Sequence, residues 1–278
     1  MKISFTKMQG LGNDFVVIDN TQQNISLTPQ QIRHMADRHF GIGFDQLLLV
    51  TPPPQNDIDF GYKIFNADGS EAEQCGNGAR CFARFVYENK LSTKRKLRIA
   101  TTASNIDLEL KENNQISVNM GVPILEPAQI PFRAQAIATE YSLQIDSPPQ
   151  TLKLGVVSMG NPHAVLQVND IETAAVAKQG SLLMIHPDFP EQVNVGFMQV
   201  LDANHIRLRV YERGVGETLA CGSGACAAVV VGRLQGLLAE DVSVRLPGGE
   251  LTIHWQGKGF PVWMTGPAEF VFTGTYEF

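Results

Sequence analysis

The sequence predicts a strand-rich mixed α/β protein, of the α+β type, divided into two similar halves. Three observations carry that expectation. Short apolar or alternating runs bounded by turn residues dominate the chain, helical stretches are few, and a block around residue 75 recurs around residue 221. Taken in order, the runs Phe15–Asp19, Leu47–Val50, Phe60–Phe65, Ile106–Leu110, Ile116–Val118, His205–Tyr211, Leu251–Trp255 and Phe270–Phe272 read as strands. A first helix is expected after Thr28, an N-cap residue followed by Pro29 at the first helical position. A second follows from Ala79, Phe82, Ala83, Val86 and Tyr87, which recur at helical spacing. Thr51-Pro52-Pro53-Pro54 and Ser147-Pro148-Pro149 read as loops, and residues 121–127, with Gly121, Pro123 and Pro127, as a linker near the midpoint.

The chain has 278 residues, of which 44% are apolar, enough for one large or two medium cores and too many for a disordered protein. Its formal charge of −6 offers no bulk attraction to nucleic acid or anionic lipid. No apolar run approaches the ~20 residues that span a bilayer. The N-terminal Met1-Lys2-Ile3-Ser4-Phe5-Thr6-Lys7 is broken by lysine before an export signal could form, so the expected location is the cytoplasm. In that compartment the four cysteines point to thiol chemistry or core packing before structural disulfides.

The repeat sorts those cysteines. Gln74-Cys75-Gly76-Asn77-Gly78-Ala79 resembles Ala220-Cys221-Gly222-Ser223-Gly224-Ala225 at an offset of 146, which also sets Lys63-Ile64-Phe65 on Arg209-Val210-Tyr211. A looser match sets Gly12-Asn13-Asp14-Phe15 on Gly160-Asn161-Pro162-His163 at an offset of 148. Each half then runs strand, glycine-containing loop, Cys-Gly-x-Gly-Ala, helix. This resolves the Val229-Val230-Val231 run, which alone would suit a strand, in favour of a buried helix over Ala225–Leu234. Cys81 and Cys226 have no counterpart in the other half and read as core residues. Cys75 and Cys221 match each other at a helix start, where open N–H groups and the helix dipole stabilise a thiolate and glycines admit a carboxylate. The spacings of six and five residues lack the Cys-x-x-Cys that structural zinc favours, and no metal site is expected.

Two matched thiols on opposite sides of one molecule suit racemisation, in which a base takes the α-proton from one face and an acid returns one to the other. The reacting carboxylate must then sit on strong donors, which helix N-termini supply without a pyridoxal ring or other cofactor. With these residues in view the chain resembles the diaminopimelate epimerase family. The resemblance rests on Lys7–Phe15, on Asn66-Ala67-Asp68-Gly69-Ser70 to Cys75–Cys81, on Gly160-Asn161-Pro162-His163, and on Tyr211-Glu212-Arg213-Gly214 to Cys221–Gly224. It implies two pseudo-symmetric lobes, each a curled mixed sheet around a central helix. They would comprise residues 1–120 plus 267–278 and residues 121–266. It implies cofactor-independent interconversion of LL- and meso-2,6-diaminopimelate, serving lysine and peptidoglycan synthesis, with Cys75 and Cys221 as the acid/base pair. Gly76, Asn77, Gly222 and Ser223 match the donors around the reacting carboxylate. Asn13, Gln46, Asn66, Asn161, Asn194, Glu212 and Arg213 match the residues that read the other polar groups, and His163 and Glu212 match positions that tune the thiols. The family also implies a homodimer, with Phe272 where a tyrosine often serves the dimer contact.

Gly222-Ser223-Gly224-Ala225-Cys226-Ala227 fits a loosened dinucleotide fingerprint with Asp241 downstream, but a preceding cysteine with a mate at Cys75 argues against a nucleotide. His34 and His39 have the wrong helical spacing for a shared metal. Two readings stay open beside the epimerase. One is a proline or hydroxyproline racemase, whose substrate would leave Arg213 without a distal carboxylate. The other is a redox dithiol protein in which Cys75 and Cys221 form a disulfide on oxidation.

Overall fold

The computed structural model describes residues 2–23, 25–72, 75–146 and 149–278. Gln74, which opens the first repeat block, and Ser147 and Pro148 of the expected loop lie outside them. The chain divides into two compact units, Met1–Asn119 with Thr265–Phe278, and Met120–Met264.

The first unit begins with β1 (Lys2–Gly10), β2 (Asn13–Asp19), α1 (Pro29–Ala36), β3 (Gln46–Thr51) and β4 (Phe60–Asn66). After the short β5 (Glu71–Ala72) come α2 (Gly76–Glu88), β6 (Lys96–Ala100), β7 (Asn105–Leu110) and β8 (Ile116–Asn119). The sheet is mixed: β2 pairs parallel with β3 and β4 parallel with β6, and antiparallel pairs join β1 to β2, β3 to β4, β6 to β7 and β7 to β8. It curls around α2, which touches β1, β2, β3, β7 and β8. Val16, Ile18, Leu47 and Leu49 face Ile32 and Met35 of α1, while Phe15 and Leu48 reach Gly78 of α2. These strands are therefore covered on both faces, which is why they read as continuous apolar runs. The predicted cap is present: Thr28 and Gln31 form a reciprocal capping box with Pro29 inside the helix start.

The second unit holds β9 (Tyr141–Asp146), β10 (Pro149–Ser158), β11 (Pro162–Gln167), α3 (Val176–Met184), β12 (Asn194–Asp202) and β13 (His205–Glu212). They are followed by β14 (Gly216–Thr218), α4 (Gly222–Leu234), β15 (Asp241–Leu246) and β16 (Gly249–His254). Here β11 pairs parallel with β12 and β13 parallel with β15, and antiparallel pairs join β10 to β11, β12 to β13 and β15 to β16. The order of pair types is that of the first unit. The helix α4 touches β10, β11, β12, β13 and β16, and Ala225, Ala227, Ala228, Val229 and Val230 have no exposed surface. A helix enclosed by strands on all sides needs no polar face, which explains its uniform composition. The chain then passes through β17 (Trp263–Gly266) to β18 (Glu269–Glu277), which pairs antiparallel with β1.

The repeat register holds in three dimensions. Adding 146 carries both ends of α2 onto both ends of α4, and carries the β4–β5 partners Ile64/Ala72 and Phe65/Glu71 onto the β13–β14 partners Val210/Thr218 and Tyr211/Glu217. Several sequence expectations need correction. Pro149 is the first residue of β10 and pairs with Asp146, a position where proline is tolerated because it need not donate to the ladder interior. Thr51 ends β3, and Trp255 lies just past β16. Residues 121–127 are no free linker: Ile124 bridges Ser158, and Pro127–Gln129 form a turn of 3-10 helix. Strands β1, β5, β6, β9, β10, β11, β12, β14, β15 and β17 and helix α3 had no place in the sequence reading.

Candidate active site

In the first unit the candidate residues gather where strand ends abut the start of α2. Asn13 opens β2, Gln46 opens β3 and Asn66 closes β4, and the ladder sets Phe15 beside Gln46 and Gln46 beside Asn66. Gln46 Nε2 donates to Asn66 Oδ1 (3.0 Å), and Asn66 Nδ2 to Ser70 Oγ (3.1 Å). Cys75 is the N-cap of α2, its sulfur accepting the Gly78 N–H at 3.4 Å. Asn13 Oδ1 lies 3.8 Å from the same sulfur and accepts from Asn77 Nδ2 at 3.3 Å. Gly76 and Asn77 form the first turn, so their N–H groups belong to the helix end that favours an anion.

The second unit repeats the pattern. Asn161 stands at the entry to β11, Asn194 opens β12, Glu212 closes β13 and Cys221 is the N-cap of α4. Asn13 and Asn161, and Gln46 and Asn194, are related by 148; Asn66 and Glu212, and Cys75 and Cys221, by 146. Asn194 Oδ1 accepts the Arg213 N–H (2.9 Å), and Arg213 Nη1 donates to the Glu191 carbonyl (2.9 Å). Glu212 accepts from the Thr218 hydroxyl. Asn161 Nδ2 is 3.5 Å from Ser223 Oγ, which is 3.7 Å from Cys221 Sγ. Gly222 and Ser223 supply the first turn of α4.

The two thiols differ in burial. Cys221 is buried, and that burial, reinforced by the Glu212 carboxylate, pushes its pKa well up against the opposing Ser223 hydroxyl; the group is a thiol at neutral pH. Cys75 is only half-buried. His163 is buried and its Nε2–H donates to Asn161 Oδ1 (3.0 Å), and burial, with the nearby Arg213 cation, pulls its pKa down to about 3. It is therefore neutral, and any influence on a thiol passes through hydrogen bonding and not charge. Cys81 and Cys226 have no exposed surface, as expected of core residues, and burial pushes the Cys81 thiol up to about 12. Phe272 on β18 pairs with Lys7 and packs edge-on against Phe5 at 6.0 Å.

Sequence reasoning passed over Asp14, Arg38, Asp45, Arg80 and Thr218. Asp14 and Asp45 are chain neighbours of Asn13 and Gln46, and Arg80 stands three residues past Asn77 in the same block, so proximity in sequence to a candidate was the available signal; Arg38 carried none.

Each unit is thus a curled mixed sheet around a helix that starts at a cysteine. Among solved structures the chain is similar to a phenazine biosynthesis protein of the PhzF family from Bacillus anthracis, at 16% identity and a TM-score of 0.71 over all of both chains. It is likewise similar to a hydroxyproline epimerase from Agrobacterium vitis with bound trans-4-hydroxy-L-proline, at 14% identity and a TM-score of 0.72 over 99% of this chain and 92% of that one. A probable proline racemase from Agrobacterium radiobacter K84 matches at 15% identity and a TM-score of 0.69 over 99% and 93%. These likenesses establish the fold. The family model for diaminopimelate epimerase matches residues 5–126 and 155–271, and the chain belongs to that family. It is an isomerase.

Proposed function

We propose that the protein interconverts LL- and meso-2,6-diaminopimelate by a two-base mechanism in which Cys75 and Cys221 exchange roles each turnover. The observation that carries this reading is the equivalence of the two cysteines: the same repeat position, the same N-cap, the same preceding hairpin. One sulfur, as thiolate, takes the α-proton and becomes a thiol. The electron pair passes into the carboxylate, whose growing charge is met by N–H groups at the helix starts, Gly76 and Asn77 of α2 and Gly222 and Ser223 of α4. The other sulfur, as thiol, delivers its proton to the opposite face of the carbon and is left as thiolate. The balance closes within the chain and its substrate. Burial and the Glu212 carboxylate favour the thiol form of Cys221.

Substrate choice rests on the remaining groups. A diamine with a second carboxylate asks for a cation, an anion and orienting amides, which Arg213, Glu212, Asn66, Asn161 and Asn194 supply. Proline-type substrates would leave most of these idle. A homodimer in the cytoplasm, feeding lysine and peptidoglycan synthesis, completes the reading.

The test is incubation of the reduced protein in deuterium oxide with LL-diaminopimelate and, separately, with L-proline, following α-deuterium by mass and configuration by chiral chromatography. Deuterated meso product from diaminopimelate alone supports the reading. Turnover of proline moves the chain to the racemase branch, and silence on both returns the thiols to a redox or packing role.

A further inference from the structure

We propose that Asp45 and Arg80 are positioning residues that, through the Asn77 amide, decide which end of the Asn13 amide faces Cys75. The four side chains form one hydrogen-bonded chain whose direction is set by its ends. Arg80 has no exposed surface, and its Nη1 donates to Asn77 Oδ1 at 3.0 Å. A guanidinium has no acceptor, so Asn77 must turn its oxygen toward Arg80 and its nitrogen toward Asn13. Asn77 Nδ2 donates to Asn13 Oδ1 at 3.3 Å, and Asn13 Nδ2 donates to Asp45 Oδ2 at 2.9 Å. An ionised carboxylate only accepts. Every bond therefore runs from Arg80 to Asp45, and turning either amide over would set N–H against N–H or oxygen against oxygen.

Both ends are anchored. Arg80 Nε donates to the Pro267 carbonyl at 3.0 Å, tying α2 to the segment before β18. Asp45 Oδ1 accepts from Arg38 Nη2 (2.9 Å) and Oδ2 from the Asp14 N–H (3.1 Å). Arg38 also grips Asp14 with two bonds of 3.0 and 2.8 Å, and Lys7, nearly buried, reaches Asp14 at 2.6 Å. The consequence falls on Cys75. Its sulfur meets an acceptor, Asn13 Oδ1 at 3.8 Å, and a donor, the Gly78 N–H at 3.4 Å. A thiol can donate to the first and a thiolate can accept from the second, so the surroundings serve both states of a group that gains and loses a proton. That Asn13 and Asn77 handle substrate rests on the epimerase reading above; the orientation of their amides does not.

The experiment compares Asp45→Ala, Asp45→Asn and Asp45→Glu by the rate at which iodoacetamide modifies Cys75 without substrate, read by peptide mass, and by kcat and KM. Asn and Glu keep an oxygen opposite Asn13 Nδ2, whereas Ala removes it. Asn and Ala remove the same charge. Asp45→Ala is expected to change Cys75 alkylation at least about threefold and lower kcat/KM about tenfold, the size of one positioned hydrogen bond, with Asn and Glu within about twofold of the parent. Asp45→Asn behaving like Asp45→Ala would assign the effect to charge and overturn the proposal, as would three variants indistinguishable from the parent. Neutron diffraction gives the orientation directly, and deuterons on the Asn13 atom facing Asn77 would also overturn it. Should the parent fail to epimerise while the alkylation order holds, the epimerase reading falls and the directed chain stands.

Discussion

Gly78 sits where a side chain has no room, and replacing it by alanine offers a sharp test of how the start of α2 is seated. A Cβ there would lie 2.4 Å from the Tyr62 hydroxyl oxygen and 3.3 Å from both Leu48 Cδ2 and Phe15 Cε1. Alanine gains up to ~1 kcal/mol of helix propensity, but overpacking a filled core costs ~1–3 kcal/mol, so net destabilisation of about 1–2 kcal/mol is expected. Tyr62 is 1% exposed and cannot swing away. Its hydroxyl has no hydrogen-bond partner among the described residues, so Tyr62→Phe is expected to be neutral or slightly stabilising. Removing that oxygen also clears the clash, and Gly78→Ala in the Tyr62→Phe background should cost almost nothing. The assay is urea unfolding of the four proteins followed by circular dichroism, with Cys75 alkylation as a local report, since Gly78 donates its N–H to that sulfur. Costs that add within about 0.5 kcal/mol would show that Tyr62 does not set the helix position and would refute the reasoning.

Replacing Cys75 or Cys221 by Ala should abolish epimerisation, whereas Cys81→Ala and Cys226→Ala should retain it while losing ~1 kcal/mol or more of stability to a cavity; chiral product analysis and urea unfolding check both halves. Iodoacetamide should modify Cys75 well before Cys221, because Cys221 is buried and its raised pKa keeps it protonated through neutral pH; equal rates by peptide mass would contradict that. His163 is neutral in the folded protein and has a pKa near 6.5 when unfolded, so below that pH the unfolded chain binds the extra proton. Stability should be complete above pH ~6.5 and fall toward about 3, and His163→Gln should flatten the slope of stability against pH in that window.

Much of the fold was legible because it is written twice. The Cys-Gly-x-Gly-Ala blocks placed α2 and α4 in one register and separated Cys75 and Cys221 from the buried Cys81 and Cys226. The valine run of α4 became a helix only through that comparison. The α1 cap was equally local: Thr28, Pro29 and Gln31 carry it among themselves. What escaped were elements whose stability comes from distant partners. Strand β11 is held by β10 and by the parallel β12, and β6 is short and alternating with charged residues. α3 has no capping side chain to announce it.

The sequence by itself determined the two-fold plan, the starts of the two enclosed helices and the residue types available to the chemistry, because those follow from spacing and local backbone preference. Only the tertiary structure decided that His163 is neutral, that Cys221 rests as a thiol, and that Arg80 and Asp45 point the amides of Asn77 and Asn13. Burial and hydrogen-bond direction depend on what lies across space. Arg80 answers to Pro267, and Asp45 to Asn13 and Arg38, through contacts that leave no trace in the spacing of residues along the chain.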